Sequence, residues 1–170
     1  MTGGALLLAA ALTTACSPEP APTPTPTGFA SEEEAFEAAE ATYRAYVDAL
    51  NEVDFDDPAT FEKALSWTSG PANAADKKDF SQSHAAGMTL NGEFAVAAFR
   101  ATEWDAQQSR VTADGCLDVS QTDIRDAEGK STAVEGRTPV VPVTLTFLPA
   151  ATSTGFRLDN VIGRDGGLQC

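Results

Sequence analysis

Basic side chains are scarce in this sequence. Among its 170 residues, 11 lysines and arginines stand against 25 aspartates and glutamates, and the formal net charge is -14 at pH 7. Such a surface repels phosphate backbones and anionic lipid headgroups. We therefore expect no nucleic-acid binding, and we expect any membrane contact to come from an anchor rather than from the folded surface.

Groups that commonly carry catalysis are also few. The single histidine, His84, follows Phe80 by four residues near the end of a predicted helix, where the helix dipole favours an imidazolium. Asp118 and Asp123 lie in an irregular strand pattern, and Asp159 falls opposite the apolar face of its predicted strand. Since no base for proton transfer is indicated, the sequence predicts no catalytic constellation, no metal and no cofactor.

The apolar run at the N-terminus is too short for a membrane span. Residues 5–12 read Ala-Leu-Leu-Leu-Ala-Ala-Ala-Leu, which cannot cross about 30 Å of hydrocarbon and is typical of a signal-peptide core. The run leads through Thr13, Thr14 and Ala15 to Cys16. This ending resembles the lipobox of bacterial lipoproteins, in which the cysteine is acylated and becomes the new N-terminus. Thr13 replaces the usual leucine and no lysine or arginine precedes the run, so we expect the true start codon to lie upstream.

Alternating prolines follow this cysteine. Proline stands at positions 18, 20, 22, 24 and 26, with alanine, threonine and Glu19 between them. Such a segment favours the polyproline II conformation, so residues 17–28 form a stiff spacer of roughly 37 Å. The sequence therefore divides into a lipoprotein signal peptide at 1–15, a lipidated Cys16 with a Pro/Thr-rich linker at 16–28, and a single folded domain at 29–170.

The two remaining cysteines, Cys116 and Cys170, predict a disulfide bond. Once Cys16 is assigned to the lipid, they form the one possible pair in the oxidising compartment that export implies. The bond would close a loop of about 55 residues and stabilise the fold by roughly 4 kcal/mol in the chain-entropy model. A structural zinc site takes four ligands, and these two thiols with His84 fall one short.

The first half of the domain has the pattern of helices. Ser31-Glu32-Glu33-Glu34 is a capping box, in which the serine accepts an amide three residues on and the carboxylates face the positive helix end. An apolar stripe follows at three- and four-residue steps. Its members are Phe36, Ala39, Tyr43, Tyr46, Val47, Leu50 and Val53. Asp57-Pro58 predicts a second, short helix, and Pro71 opens a third that runs to Gly87.

From Met88 onward the apolar period changes to two, and four strand segments follow. The first two are predicted at 94–101 and 116–125. The third has one apolar face, formed by Val141, Val143, Leu145 and Phe147, and its Pro142 indicates an edge or a bulge. The fourth places Phe156, Leu158 and Ile162 on one side. The domain is therefore predicted to be α+β, with three helices packed on an antiparallel sheet of about four strands.

This order of elements resembles the NTF2-like (cystatin-like) α+β cone, in which a curved sheet wraps a long first helix. The resemblance covers about residues 30–170. Together with its leader, the chain is also similar to small acidic lipoproteins of high-GC Gram-positive, actinobacterial type, in the segments 42–51 and 163–167. The NTF2-like resemblance implies a pocket inside the cone. The NTF2-like family includes enzymes that move protons with an aspartate or a histidine–aspartate pair.

Two inward polar residues mark the candidate binding site. Asn160 falls on the apolar side of the last predicted strand, and Gln121 falls on that of the second. They either satisfy backbone groups at strand ends or line the mouth of a pocket with the hydroxyl of Tyr43. We expect a membrane-anchored extracytoplasmic lipoprotein whose non-catalytic domain binds a small ligand or an envelope protein. The alternatives are an NTF2-like enzyme acting on a small apolar molecule and a structural envelope component.

Overall fold

A computed structural model describes residue 1, residues 28–165 and residues 168–170. Residues 2–27, which hold Cys16 and nearly all of the predicted leader and linker, lie outside the described residues. The elements in chain order are α1 (Glu32–Leu50), a 3-10 turn (Pro58–Thr60), α2 (Phe61–Leu65), α3 (Gly70–Ala85), β1 (Thr89–Asn91), β2 (Ala95–Asp105), β3 (Arg110–Asp118), β4 (Asp123–Arg125), β5 (Val140–Pro149) and β6 (Phe156–Gly163). Among the helices described, none is long and apolar enough to cross a membrane.

The predicted capping box starts α1. The Ser31 hydroxyl accepts a hydrogen bond from the Glu34 amide at 3.1 Å, and the Glu34 carboxylate accepts one from the Ala30 amide at 2.7 Å. These bonds satisfy amides that the first helical turn leaves without partners. The predicted stripe is confirmed, because Ala39, Tyr43, Tyr46 and Val47 are all buried.

The main sheet is antiparallel, with strand order β2-β3-β5-β6, and β1 pairs with β4 in a separate two-stranded sheet. The predicted apolar face of β5 is buried, since Leu145 and Phe147 are fully enclosed and Val143 nearly so. They pack with the α1 stripe and with Phe156 and Leu158 of β6 in one core. Three helices on a four-stranded antiparallel sheet confirm the predicted α+β class and the arrangement that the NTF2-like resemblance implies.

The predicted strand at 116–125 is wrong. β3 begins earlier, at Arg110, and ends at Asp118, and a turn separates it from β4. Asp114 and Gly115 look like turn residues, but they lie in the middle of β3. A Cβ on Gly115 would stand 2.9 Å from a methyl group of Leu145 and 3.4 Å from the ring of Tyr43. Glycine is therefore needed there because the side chains of Leu145 and Val143 from the neighbouring strand occupy the space that a Cβ would take.

A β-bulge in β6 changes the predicted face of its second half. Phe147 pairs with Leu158 and Thr146 pairs with Asn160, which leaves Asp159 as the extra residue. Such an insertion reverses the inward and outward alternation that follows it. Ile162, predicted to face inward, is accordingly 56% exposed. Asn160 shares the register of Thr146 and is half-buried.

Pro142 lies in the interior strand β5, at a position where β6 no longer pairs with β5. It pairs with Cys116 of β3, whereas the pairing of β5 with β6 ends at Val143 and Gly163. Its carbonyl oxygen accepts from the Arg164 amide at 3.2 Å, on the side where β6 has ended. The missing proline N–H therefore costs no bond of the sheet.

The predicted disulfide between Cys116 and Cys170 is present, with 5.7 Å between the two Cα atoms. Alternation along β3 places Cys116 on the sheet face away from α1, and the residue is fully buried. The carboxylate of Asp114 accepts from the Leu168 amide at 3.2 Å and lies 3.5 Å from the guanidinium of Arg164. The C-terminal residues are thus fastened over the outer face of the sheet.

Candidate functional site

A cavity of about 170 Å³ lies where α1 and α3 meet the ends of β3, β5 and β6. Tyr43, Tyr46, Asp76 and Asn160 contribute its polar groups, and we call it the tyrosine–aspartate cavity. The apolar wall includes Leu50, Ala72, Ala75, Leu117, Val143 and Val161. Mostly apolar walls with a few polar groups are typical of small-molecule sites, although this cavity is smaller than those that hold drug-sized ligands.

The side chains of Tyr46 and Asp76 form the hydrogen-bonded centre of the cavity. The Tyr46 hydroxyl donates to the Asp76 carboxylate, with distances of 3.0 and 3.2 Å to its two oxygens. Burial raises the pKa of Asp76 to about 6, against the lowering effect of hydrogen bonds from Tyr46 and Thr68 and with a further rise from Asp79. Burial and the neighbouring Asp76 charge likewise raise the pKa of Tyr46. The cavity therefore holds a carboxyl group that changes charge close to neutral pH.

Tyr43 lies one helical turn before Tyr46 and is 2% exposed. Burial raises the pKa of its phenol far above the ordinary value, so the group is neutral at physiological pH. Its ring contacts Phe99 at a centroid separation of 6.2 Å. Within the described part of the chain its hydroxyl has no hydrogen-bond partner, which leaves it available to a molecule in the cavity.

Two of the three residues predicted as a binding site come together, and the third does not. Tyr43 and Asn160 both line the tyrosine–aspartate cavity. Gln121 is exposed in the turn after β3, where its amide bonds the Ser120 hydroxyl at 3.3 Å. The prediction that Gln121 faces inward is wrong because β3 ends at Asp118, and Thr122 takes the buried position instead.

Asp76 is the site residue that the sequence pattern did not indicate. Ala72, Asp76 and Phe80 follow one another at four-residue steps in α3, and both outer members are buried. Residues four apart lie on one helix face, so this spacing places Asp76 on the buried line. The signal was hidden because α3 has only two fully buried residues and no clear apolar stripe.

His84 has a structural contact outside this cavity. Its Nδ1 lies 2.6 Å from the carbonyl oxygen of Phe55 in the last turn of α3. Phe55 and Phe80 belong to a second apolar cluster, which is formed by the end of α1 and its following loop, α2, α3 and the small sheet. Among the described residues, no group of three or more histidine, cysteine, aspartate or glutamate side chains is placed to hold a metal ion.

A second, open groove of about 510 Å³ lies between the first half of α1 and β2. Four glutamates line it, namely Glu32, Glu33, Glu37 and Glu40, together with Phe36, Phe99, Ala101 and Arg100. Its glutamates are exposed or half-exposed, and Glu40 pairs with Arg44 at 2.6 Å. Such exposed acidic side chains are what solubility alone requires, so this groove has no feature that demands a ligand.

No family model and no curated protein matches this chain. The intermembrane-space region of the chloroplast protein ARC6 superposes with a TM-score of 0.53 at 11% identity, over 75% of this chain and 95% of that one. A putative polyketide cyclase from Xanthomonas campestris pv. campestris gives 0.39 at 16% identity, over 76% and 90% of the two chains. VirB8 of Agrobacterium tumefaciens gives 0.39 at 12% identity, over 84% and 100%. The first likeness concerns the fold alone, and the other two superpose too loosely to add to it.

Proposed function

We propose that this chain is an exported, lipid-anchored, non-catalytic domain that binds a small ligand in the tyrosine–aspartate cavity. Export is supported by the Cys116–Cys170 disulfide, because such bonds persist in oxidising compartments. The lipid anchor is supported by the lipobox-like ending at Cys16 and the proline spacer behind it. A small ligand is favoured over an envelope protein because a cavity of about 170 Å³ does not admit a protein segment.

One observation carries the binding role, namely a carboxyl group set among buried phenols and apolar walls. Burying Asp76 destabilises its charged form, and a phenylalanine at position 43 would fill the core without a polar group. Proteins retain such unfavourable polar groups at functional sites, where stability is lost in exchange for function. The convergence of Tyr43, Tyr46 and Asp76 on one cavity is therefore the strongest sign of a ligand.

The anchor predicts that the wild-type protein partitions into the detergent phase when it is expressed with its native leader in a related host. The Cys16→Ser variant lacks the thiol that accepts the diacylglyceryl group, so we expect it in the aqueous phase or as unprocessed precursor. Phase partitioning and intact mass check this expectation. A serine variant that remains in the membrane fraction with the mass of the mature wild type contradicts the anchor.

The cavity predicts that a leucine at position 75 blocks binding. Ala75 lines the cavity from α3 and its neighbour Ala74 does not, although both residues are exposed. Fragments of about four to eight non-hydrogen atoms should shift NMR signals of the cavity residues in the unlipidated full chain. We expect Ala75→Leu to abolish these shifts and the matched control Ala74→Leu to retain them. Equal shifts in both variants contradict the site, and so do shifts confined to the open groove between α1 and β2.

A proton-transfer enzyme is the second candidate function. The Asp76 carboxyl, with a pKa of about 6 and a tyrosine hydroxyl bonded to it, has the properties of a general base near neutral pH. The alternative is therefore an enzyme that acts on a small, mostly apolar molecule. If the wild type turns over a small carbonyl compound and Asp76→Asn does not, the protein is a proton-transfer enzyme rather than a binding domain.

A further inference from the structure

We infer that the ligand of the tyrosine–aspartate cavity is a small organic ammonium cation, whose charged head pairs with Asp76 and whose apolar body contacts the walls. The inference rests on the proposed binding function and names the chemical class of its ligand. In the cavity, the carboxylate of Asp76 is the single charged group among the lining residues.

The charge of Asp76 has no basic partner within the described part of the chain. From α1 it faces the neutral phenols of Tyr43 and Tyr46, and on α3 the charge that acts on it is that of Asp79, which is also acidic. Lys77 and Lys78 are exposed, and adjacent residues do not share a helix face. An ionised Asp76 is thus compensated by hydrogen bonds and by the solvent that reaches part of the carboxyl, and by no basic side chain of the described residues.

The other elements around the cavity bring no cation either. β3 and β5 contribute Leu117 and Val143, and β6 contributes Asn160 and Val161. Asp159 of β6 accepts a hydrogen bond from the Ser69 hydroxyl at 2.9 Å, which adds acidic rather than basic character to this end of the domain. A positive charge brought by a ligand would therefore be the first one to face Asp76.

The remaining walls fit the body of a small amine. Leu50 and Ala72 offer apolar surface, and the rings of Tyr43 and Tyr46 offer faces that attract a cation. The Tyr43 hydroxyl, which has no partner among the described residues, can accept a hydrogen bond from an ammonium group. The net charge of -14 further attracts cations and repels anions over the whole surface.

Neutral and anionic ligands fit the same walls less well. A carboxylate ligand would place a like charge beside Asp76 and Asp79. An alcohol of the same shape fills the cavity but leaves the Asp76 charge without a counter-ion, so it gains the apolar contacts alone. The three classes therefore differ in one property, the charge that they bring to Asp76.

Isobutylammonium, isobutanol and isobutyrate test this difference, because they share one apolar body. We expect the unlipidated full chain at pH 7.5 to bind isobutylammonium on the order of tenfold more tightly than isobutanol, and isobutyrate more weakly still. An alkylammonium stays charged at both pH 7.5 and pH 5, whereas Asp76 takes up a proton on this interval. The preference should therefore shrink towards pH 5, as measured by NMR titration of the cavity residues.

Two variants locate the preference. Asp76→Asn should bind the ammonium and the alcohol equally, while Asp48→Asn, which removes the same charge from the exposed side of α1, should keep the tenfold difference. Equal binding of ammonium and alcohol by the wild type overturns the ammonium inference and leaves the small-ligand function standing, provided that Ala75→Leu blocks both. Binding of none of the three probes overturns the inference and the proposed function together.

Discussion

Removing the Cys116–Cys170 disulfide is expected to lower the free energy of unfolding by about 4 kcal/mol. The bond joins residues 54 positions apart, so it restricts a large part of the unfolded chain. Its loss also loosens the C-terminal residues, whose remaining contacts include those of Asp114 with Arg164 and Leu168 and the hydrogen bond from Arg164 to the Leu168 carbonyl oxygen. A loss of this size is a large share of the net stability of a small domain.

The measurement is urea unfolding of the full chain with Cys116 and Cys170 both replaced by alanine. Alanine suits position 116 because the residue is completely buried. Reduced wild type should match the double variant, whereas Cys16→Ala, which removes a thiol outside the described residues, should unfold like the oxidised wild type. A double variant within about 1 kcal/mol of the wild type would show that the bond adds nothing to the contacts around it.

Replacing Asp76 by asparagine is expected to stabilise the protein at pH 8 by about 1 to 2 kcal/mol. The folded-state pKa of this acid is raised from 3.8 to about 6, so the folded state disfavours the ionised form. A rise of one pKa unit corresponds to about 1.4 kcal/mol of unfolding free energy. The expected effect is smaller than the full rise would give, because solvent reaches part of the carboxyl. Asparagine keeps an oxygen that can accept from the Tyr46 hydroxyl.

The sign of this effect fixes its pH dependence. Below pH 3.8 the carboxyl is protonated in both states and costs nothing, so the variant and the wild type should be equally stable there. The cost of ionisation grows between 3.8 and about 6 and is complete above that value. Unfolding curves across this range should therefore diverge for Asp76→Asn, whereas Asp48→Asn should follow the wild type throughout. A variant that is less stable than the wild type at pH 8 would mean that the ionised Asp76 stabilises the fold.

Local signals in the sequence predicted the elements that form the core. The capping box at Ser31 and the stripe through Tyr43 and Val47 specify α1, because the spacing of residues within four positions of one another determines which face of a helix is buried. The alternation through Leu145 and Phe147 specifies β5 in the same way. The disulfide followed from counting cysteines once Cys16 had been set aside.

The errors arose where tertiary packing overrides a local pattern. Asp114 and Gly115 are ordinary turn residues by sequence. In the fold, Gly115 makes room for the Leu145 side chain, and Asp114 pairs with Arg100 and Arg164 on the outer face. The bulge beside Asp159 reversed the alternation that had placed Ile162 inward, and no local pattern in the sequence indicates an inserted residue.

The site was only half predictable for the same reason. Tyr43 belongs to a clear stripe, so its burial could be read directly, whereas Asp76 lies in a helix with little apolar patterning. Its partner Tyr46 is 30 residues away in the chain, and the two meet because α1 and α3 both pack against the sheet. A pair of this kind becomes visible only when the helices are placed.

Titration of the Asp76 carboxyl tests most directly whether this group has a raised pKa and serves as the counter-ion of a ligand. It is followed by ¹³C NMR on the unlipidated full chain, with Asp76→Asn assigning the signal. We expect a pKa of about 6 in the free protein, and a lower pKa with saturating isobutylammonium, because a bound cation favours the ionised form. A pKa near the ordinary value of 3.8 that isobutylammonium does not change would contradict both the buried carboxyl and its role as the counter-ion of a ligand.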